Sequence, residues 1–527
     1  MTMPSLYCSF KLSRLVGVFL IVLLFFSCAQ SDKNTPRSTD KPNIIYILAD
    51  DLGYGELGSY GQQKIETPNI DSLALSGMKF TQHYAGSAVC APSRYMLMTG
   101  KHPGHAYVRG NGDRPGGSVW DFDDLRKHPE WEGNIAIPDS TVTVAGRLQE
   151  VGYQTAAIGK WGLGGPGSTG LPNDHDFDFF FGYLGQRFAH TYYPIYVWKN
   201  KERVFLDNEP VNPHTQLGDS LDPYDPDSYT RFQDQPDYAP EIMLDEAISF
   251  IDRSQQSPFF LYYPTTIPHV SLQAPQRWVD YYHKKFGDEK PYTGDEGYAP
   301  VRYPKATYAA MISYLDEQVG TLIQKLKDMG EYENTLIIFT SDNGPTYNGG
   351  TQGSFFNSAG PFKESYGWAK GFLHEGGIRV PMIASWPGVI EAGSQTDHLS
   401  VFWDVMPTLT EIAGIEAADD IDGISFMPTL KGNPSQQKSH DYLYWEFPSY
   451  GGQQAVRIGQ WKGIRKVIKK SGNMDIELYN LKNDIREQHD VADQHPDIVA
   501  KIERIMHREH VTPAVDAFRM EALKQER

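Results

Sequence analysis

Asn43-Ile44-Ile45-Tyr46-Ile47-Leu48-Ala49-Asp50-Asp51 decides how this chain folds. Its first seven residues form a short, nearly continuous apolar run, as expected for a parallel strand covered on both faces. Two carboxylates follow at once. Open α/β sheets place their ligands in the crevice beyond the carboxyl ends of such strands. The pattern recurs at Thr335-Leu336-Ile337-Ile338-Phe339-Thr340-Ser341, which runs straight into Asp342-Asn343-Gly344. Two strands can therefore deliver three carboxylates and an amide to one place, and the expected fold class is α/β. The all-oxygen set Asp50, Asp51, Asp342 and Asn343 suits a hard cation, calcium before magnesium, and not zinc.

Between these strands lies Cys90-Ala91-Pro92-Ser93-Arg94, continued by Leu97-Met98-Thr99-Gly100-Lys101. Pro92 has a fixed φ and no N–H, so it belongs in the first turn of a helix that Ser93 to Met98 continue up to Gly100. Cys90 then sits at the positive end of that helix, and Arg94, four residues on, shares its face. A helix N-terminus with a converging arginine is a site for a tetrahedral anion.

On these two segments, which match C-x-P-S-R and L-x-T-G-[RK], the chain resembles the type I sulfatases, in the bacterial carbohydrate branch of the alkaline phosphatase-like superfamily. The resemblance covers roughly residues 41 to 495. It implies a large mixed sheet flanked by helices and a smaller C-terminal α+β subdomain. It implies that a formylglycine-generating maturation enzyme converts Cys90 to an aldehyde, whose hydrate attacks sulfur. It also implies one calcium ion held by Asp50, Asp51, Asp342, Asn343 and the converted Cys90.

Further segments extend the resemblance. Gly159-Lys160-Trp161-Gly162-Leu163-Gly164 resembles G-K-W-H-L-G, which implies Lys160 on the sulfate. Position 162 is glycine where the family often has a histidine, the usual candidate for the base that helps collapse the sulfated intermediate. Either another residue takes that role, with His102 and His105 nearest in sequence to the pentad, or this chain manages without it. Pro268-His269 implies His269 as general acid to the leaving oxygen. Lys370 to Pro381 matches K-G-x-x-x-E-G-G-x-R-V-P, which implies Lys370 on the sulfate and leaves Glu375 and Arg379 as structural residues. The implied reaction is in-line displacement at sulfur, with Arg94, Lys160, Lys370 and calcium stabilising the equatorial oxygens.

The net charge of -18, with no basic block to reverse it locally, argues against nucleic acid or an anionic membrane surface as partner. It would also repel a polyanion at long range, so a local cationic pocket for one sulfate is expected. Residues 1–27 read as a lipoprotein-type signal, with Lys11 and Arg14 before an apolar run from Leu15 to Phe26. That run is short for a bilayer span. Cys28 stands at the cleavage site, and residues 28–41 read as a tether. The expected location is the cell envelope, as a periplasmic or outer-membrane lipoprotein bound to membrane only through a lipid anchor; plain secretion is the alternative. Cys8, Cys28 and Cys90 are the only cysteines, so the mature chain has no pair for an internal disulfide.

The expected catalytic domain is 42–432 and the C-terminal subdomain 433–527. Helices are expected at Pro240 to Arg253, Tyr308 to Met329 and from about His495, and short antiparallel strands at Tyr442 to Phe447, Ala455 to Ile468 and Glu477 to Leu481. Arg109 to Ile137 and Asn208 to Pro240 read as long loops without regular structure. Arg109, Asn111 and Trp120 in the first of these, and His190 between the two, are candidate sugar contacts, against a reading as surface loops with packed aromatics. The tract Gly100 to Asn111, with His102 and His105, resembles bacterial sulfatases acting on sulfated galactose-type sugars. The competing functions are a phosphonate or phosphodiester hydrolase of the same fold and a non-catalytic glycan-binding lipoprotein.

Overall fold

The computed structural model describes residues 41–114, 122–416 and 418–524. The expected signal, Cys28, all but the last residue of the expected tether, and Trp120 lie outside the described residues.

Eleven strands make one mixed sheet: β1 (Asn43–Ala49), β2 (Met78–Tyr84), β3 (Gln154–Lys160), β4 (Phe179–Tyr183), β5 (Tyr196–Lys199), β6 (Glu202–Phe205), β7 (Phe259–Pro264), β8 (Thr335–Ser341), β9 (Arg379–Ser385), β10 (Ser394–Thr396) and β11 (Ser400–Val401). Their order is β10-β2-β9-β8-β1-β7-β3-β4-β5-β6, with β11 paired to β2. β1 lies between β8 and β7, parallel to both, with Ala49 beside Ser341 and Leu48 beside Pro264. Every residue of β1, β7 and β8 is buried, as their unbroken apolar runs require.

The strand directions explain the site. β8, β1, β7 and β3 are parallel neighbours, and they end in turn at Asp342, Asp50, the turn to His269, and Lys160. β9 runs antiparallel to β8 and to β2, so its start and the end of β2 reach the same edge. The segment carrying Lys370 enters β9 there, and the segment carrying Cys90 leaves β2 there.

Helices cover the sheet. Ala239–Arg253 packs on β3 and β4, and Pro304–Asp328 starts earlier than the apolar pattern predicted because Pro304 opens its first turn. Of the two expected loops, the first contains the helix Phe122–Lys127 and a 3-10 turn at Pro129–Trp131. The second contains Pro226–Tyr229 and Thr230–Gln233. The missed signal was Asp225-Pro226, where the Asp225 side chain accepts the Asp227 N–H and Pro226 fits the first turn.

A second, antiparallel sheet runs β12 (Leu443–Phe447), β13 (Gln453–Ile458), β14 (Trp461–Arg465) and β15 (Glu477–Asn480), with the helix Pro496–Glu509 against β12 and β13. One of its faces belongs to the main core: Trp445, Phe447, Ala455 and Ile464 share a cluster with β1. The join is also ionic. Lys462 Nζ lies 2.9 Å from Glu375 Oε1 and 3.1 Å from Glu487 Oε1, with all three side chains buried. Glu375 also accepts from the Tyr84 hydroxyl at 2.6 Å and pairs with Arg379 at 3.1 Å, the structural role expected of both residues.

Lys462→Met would leave the buried Glu487 carboxylate without its cation and Glu375 with Arg379 alone. It is expected to lower the free energy of unfolding by about 3–5 kcal/mol, read as a fall in the urea midpoint.

Candidate active site

Cys90–Thr99 forms a helix buried along its whole length, closed by Gly100 at φ 67°, which leaves the Met96 carbonyl capped by the Gly100 N–H. At its other end the Ala91 N–H, one of the unpaired donors of a first turn, is taken by Asn111 Oδ1 at 2.9 Å. Asn111 thus stands at the mouth beside Cys90.

Around Cys90 three carboxylates meet three cations. Lys160 Nζ is 2.5 Å from Asp50 Oδ2, and Lys370 Nζ is 2.6 Å from Asp51 Oδ2. Arg94 reaches Asp342 Oδ2 through Nε at 3.0 Å and Nη2 at 2.8 Å, and Asp50 Oδ2 at 3.4 Å. Its Nη1 donates to the Lys160 carbonyl. The Cys90 thiol donates to Asp50 Oδ1 at 3.1 Å, with Lys160 Nζ 3.7 Å from the sulfur. Asp51 adopts φ 67°, a conformation that places its N–H 3.2 Å from Asp342 Oδ1. His269 Nε2 lies 3.6 Å from Asp51 Oδ2.

Burial would raise the Asp50 carboxyl, but Lys160, His269, Arg94 and Lys370 hold it well below its ordinary range. Asp342 goes the other way: burial and the charge of Asp50 push it up to about 7. Burial, reinforced by Asp50, raises the Cys90 thiol. Burial, then Lys370 and Lys160, bring His269 down to about 3. Burial opposes the charge on Lys370, but Asp51, Cys90 and Asp50 together outweigh it and raise its pKa.

The donor set fits a divalent cation. Asn343 Nδ2 donates to Asp51 Oδ1 at 2.7 Å, while its buried Oδ1 finds no hydrogen-bond partner among the described residues. An unpaired carbonyl oxygen among three crowded carboxylates is the environment a hard cation satisfies. Ligand atoms of Asp50, Asp51, Cys90 and His269 also lie within 4.8 Å of one another.

The structure thus brings Asp50, Asp51, Cys90, Arg94, Lys160, His269, Asp342, Asn343 and Lys370 together, with Asn111 beside them. It gives Arg94 a different emphasis from that expected, since its nitrogens are engaged by Asp342, Asp50 and a backbone carbonyl. His190 stacks on His269, ring centroids 4.9 Å apart, and its Nδ1 meets His214 Nε2 at 3.0 Å.

Three sequence candidates lie elsewhere. His102 and His105 follow the far end of the Cys90 helix, about 15 Å along its axis. His102 Nδ1 accepts the Gly104 N–H at 3.0 Å, so its Nε2 carries the proton toward Glu509 Oε2 at 3.2 Å. His105 pairs with Asp422 at 2.8 Å. Neither can stand in for a side chain at position 162. Arg109 is a buried clamp on Glu446 at 2.9 Å and on the carbonyls of Gly104 and Ala106.

The space at position 162 is filled from the turn that follows β4. Gly162 has φ 85°, and a Cβ there would stand 1.8 Å from Gln186 Nε2. Gln186 is buried, and neither Nε2 nor Oε1 has a hydrogen-bond partner among the described residues. Nothing in the sequence marks this residue, because its position depends on β4 lying beside β3.

A family model described as Sulfatase matches residues 42–415, and one described as N-sulphoglucosamine sulphohydrolase, C-terminal, matches 364–512. The chain is 29% identical over 549 residues to N-acetylgalactosamine-6-O-sulfatase of Bacteroides thetaiotaomicron, covering 94% of this chain and 98% of that one. It is 31% identical over 436 residues to arylsulfatase A of Homo sapiens, covering 80% and 74%. The crystal structure of Ps i-CgsB superposes with a TM-score of 0.69 at 28% identity, covering 90% of this chain and 94% of that one. That protein has also been solved with k-i-k-neocarrahexaose.

Two substitutions should move stability in opposite directions. Gly162→Ala forces a left-handed φ on a residue with a Cβ and is expected to cost about 1–2 kcal/mol. Gln186→Met removes a buried amide without partners and is expected to gain about 1–3 kcal/mol; thermal midpoints check both.

Proposed function

The chain belongs to the sulfatase family and is a sulfuric ester hydrolase, and we propose that it cleaves a sulfate ester on a galactose-type sugar or glycan, using formylglycine at position 90 and one calcium ion. The observation carrying this reading is the convergence of Cys90 with Arg94, Lys160 and Lys370 on three buried carboxylates at one edge of the sheet. Three cationic side chains face three carboxylates there. A divalent ion then leaves the site net positive, which suits an anionic ester.

Formylglycine at position 90 supplies a hydrated aldehyde as nucleophile toward sulfur. Calcium held by Asp50, Asp51, Asp342 and Asn343 supplies positive charge for the sulfate oxygens. Lys160 and Lys370 flank Cys90 and offer charge-assisted N–H donors to those oxygens, while Arg94 holds Asp342 and Asp50 in place. The Nδ1–H of His269 is held by the Val270 carbonyl, which leaves Nε2 facing the site. Lys370 and Lys160 help depress His269, and an anionic sulfate between them offsets that effect. In the acid role His269 would deliver a proton from Nε2 to the departing sugar oxygen.

The sugar class is supported by the relative named for N-acetylgalactosamine 6-sulfate and by the neighbour solved with a carrageenan oligosaccharide. Export to the cell envelope is part of the proposal, supported by the basic-then-apolar N-terminus and Cys28. Among the described residues no helix is long and apolar enough to cross a membrane.

Produced with a formylglycine-generating enzyme, the chain is expected to carry an aldehyde in the Cys90 peptide by mass spectrometry. It should release sulfate from galactose 6-sulfate or N-acetylgalactosamine 6-sulfate. Cys90→Ala should abolish release, and dialysis against EGTA should suppress it until calcium is returned. Faster turnover of a phosphodiester under the same conditions would assign the rival hydrolase reading instead. For His269→Ala, the expected loss in kcat is about 100-fold or more on a sugar sulfate and under about tenfold on nitrophenyl sulfate, whose leaving group needs no proton. Equal losses would remove His269 from the acid role.

A further inference from the structure

Lys370 is set in a strip of aromatic side chains that sulfate chemistry does not need. Tyr366 precedes it by four residues and Phe372 follows it by two, and their rings meet edge-on at 5.0 Å. Tyr347 meets Tyr366 at 5.4 Å, and Tyr450 meets Phe372 at 5.4 Å. Tyr366 is 68% exposed and Tyr450 43% exposed, so two large rings of one contiguous strip face water. Gly371 makes the strip continuous with the site. At φ 86° it has no side chain, and a Cβ there would stand 2.8 Å from the Tyr450 ring, which therefore lies directly against the backbone beside Lys370.

Tyr298 ties the strip to the opposite wall. Its ring contacts those of His190 at 5.3 Å and His269 at 6.2 Å. Burial pushes its phenol up to about 12, with Lys370 opposing and Asp51, Tyr450 and Cys90 adding to the rise. A Cβ at Gly349, two residues past Tyr347, would stand 3.1 Å from the Tyr298 ring, so Tyr298 packs against the segment that carries Tyr347 of the strip.

Contiguous exposed aromatics beside a polar pocket mark a binding surface. A pyranose presents an apolar C–H face and a polar edge, and a tyrosine presents a matching flat ring with a hydroxyl at its tip.

We propose that Tyr347, Tyr366, Phe372 and Tyr450 form a platform for the sugar ring adjoining the sulfated one, so that the ligand this protein is built for is an oligosaccharide and not a free sulfated monosaccharide. The proposal rests on the reading that the sulfate binds at Lys370.

Binding can test it without turnover. Titration calorimetry on full-length Cys90→Ala would compare N-acetylgalactosamine 6-sulfate with a chondroitin 6-sulfate tetrasaccharide, and galactose 6-sulfate with neocarrahexaose. At least one oligosaccharide is expected to bind about tenfold or more tighter than its monosaccharide. Tyr366→Ala and Tyr450→Ala should each erase most of that gain, and Tyr366→Phe should keep it. Equal affinities within both pairs, no binding by any probe, or a gain that survives both alanine substitutions would overturn the platform. So would loss of self-association in Tyr366→Ala without any glycan effect, which would assign the strip to a second copy of the chain. Sulfate release by the converted wild type is measured separately, so failure of the hydrolase reading shows there while the binding gain still reports on the platform.

Discussion

Like charges cannot be packed together in a protein interior unless each has its counter-ion, and this molecule is organised around that constraint. Asp50, Asp51 and Asp342 are fully buried within one crevice, and each is met by a different cation from a different part of the chain. Lys160 comes from the end of β3, Arg94 from the helix after β2, and Lys370 from the approach to β9. No local segment could supply all six groups. Only a sheet whose parallel strands end at one edge, with an antiparallel strand beginning there, can bring them within hydrogen-bonding distance. The crevice chemistry therefore depends on strand direction as much as on residue identity.

The second sheet extends the same principle outward. Glu375 lies five residues beyond Lys370, and its carboxylate is held by Lys462 of β14, Arg379 and Tyr84. The antiparallel sheet thus braces, through a buried ion cluster, the turn that presents Lys370. Trp445 adds a direct bond to the Ala85 carbonyl at 3.0 Å, just before the Cys90 segment. A unit remote in sequence from the pentad fixes both flanks of the site.

Much of this was legible in the chain. The runs at 43–49 and 335–341 announced buried parallel strands because both faces of each are covered, which leaves no polar alternation to confuse the reading. Pro92 and Gly100 bounded their helix because one fixes φ and the other permits the left-handed turn. The illegible parts depend on partners far away. Arg109 binds Glu446, 337 residues on, and His102 binds Glu509, 407 residues on, contacts that a loop read both as candidate sugar contacts and as packed surface could not announce. Gln186 and the aromatic strip have the same character. Their meaning comes from which strand lies beside which, a matter of tertiary structure to which no local period or spacing corresponds.

The complete burial of the Cys90–Thr99 helix has a consequence for timing. Were Cys90 converted as proposed, a modifying enzyme could not reach it in the folded chain, since only 1% of that residue is accessible. Conversion would have to take place on the nascent or still extended polypeptide, and closure of the sheet then sets the deadline. If position 90 is converted as proposed, a chain that folds first would stay unconverted, and the yield of active protein would follow the relative rates of modification and folding and not the stability of the finished fold.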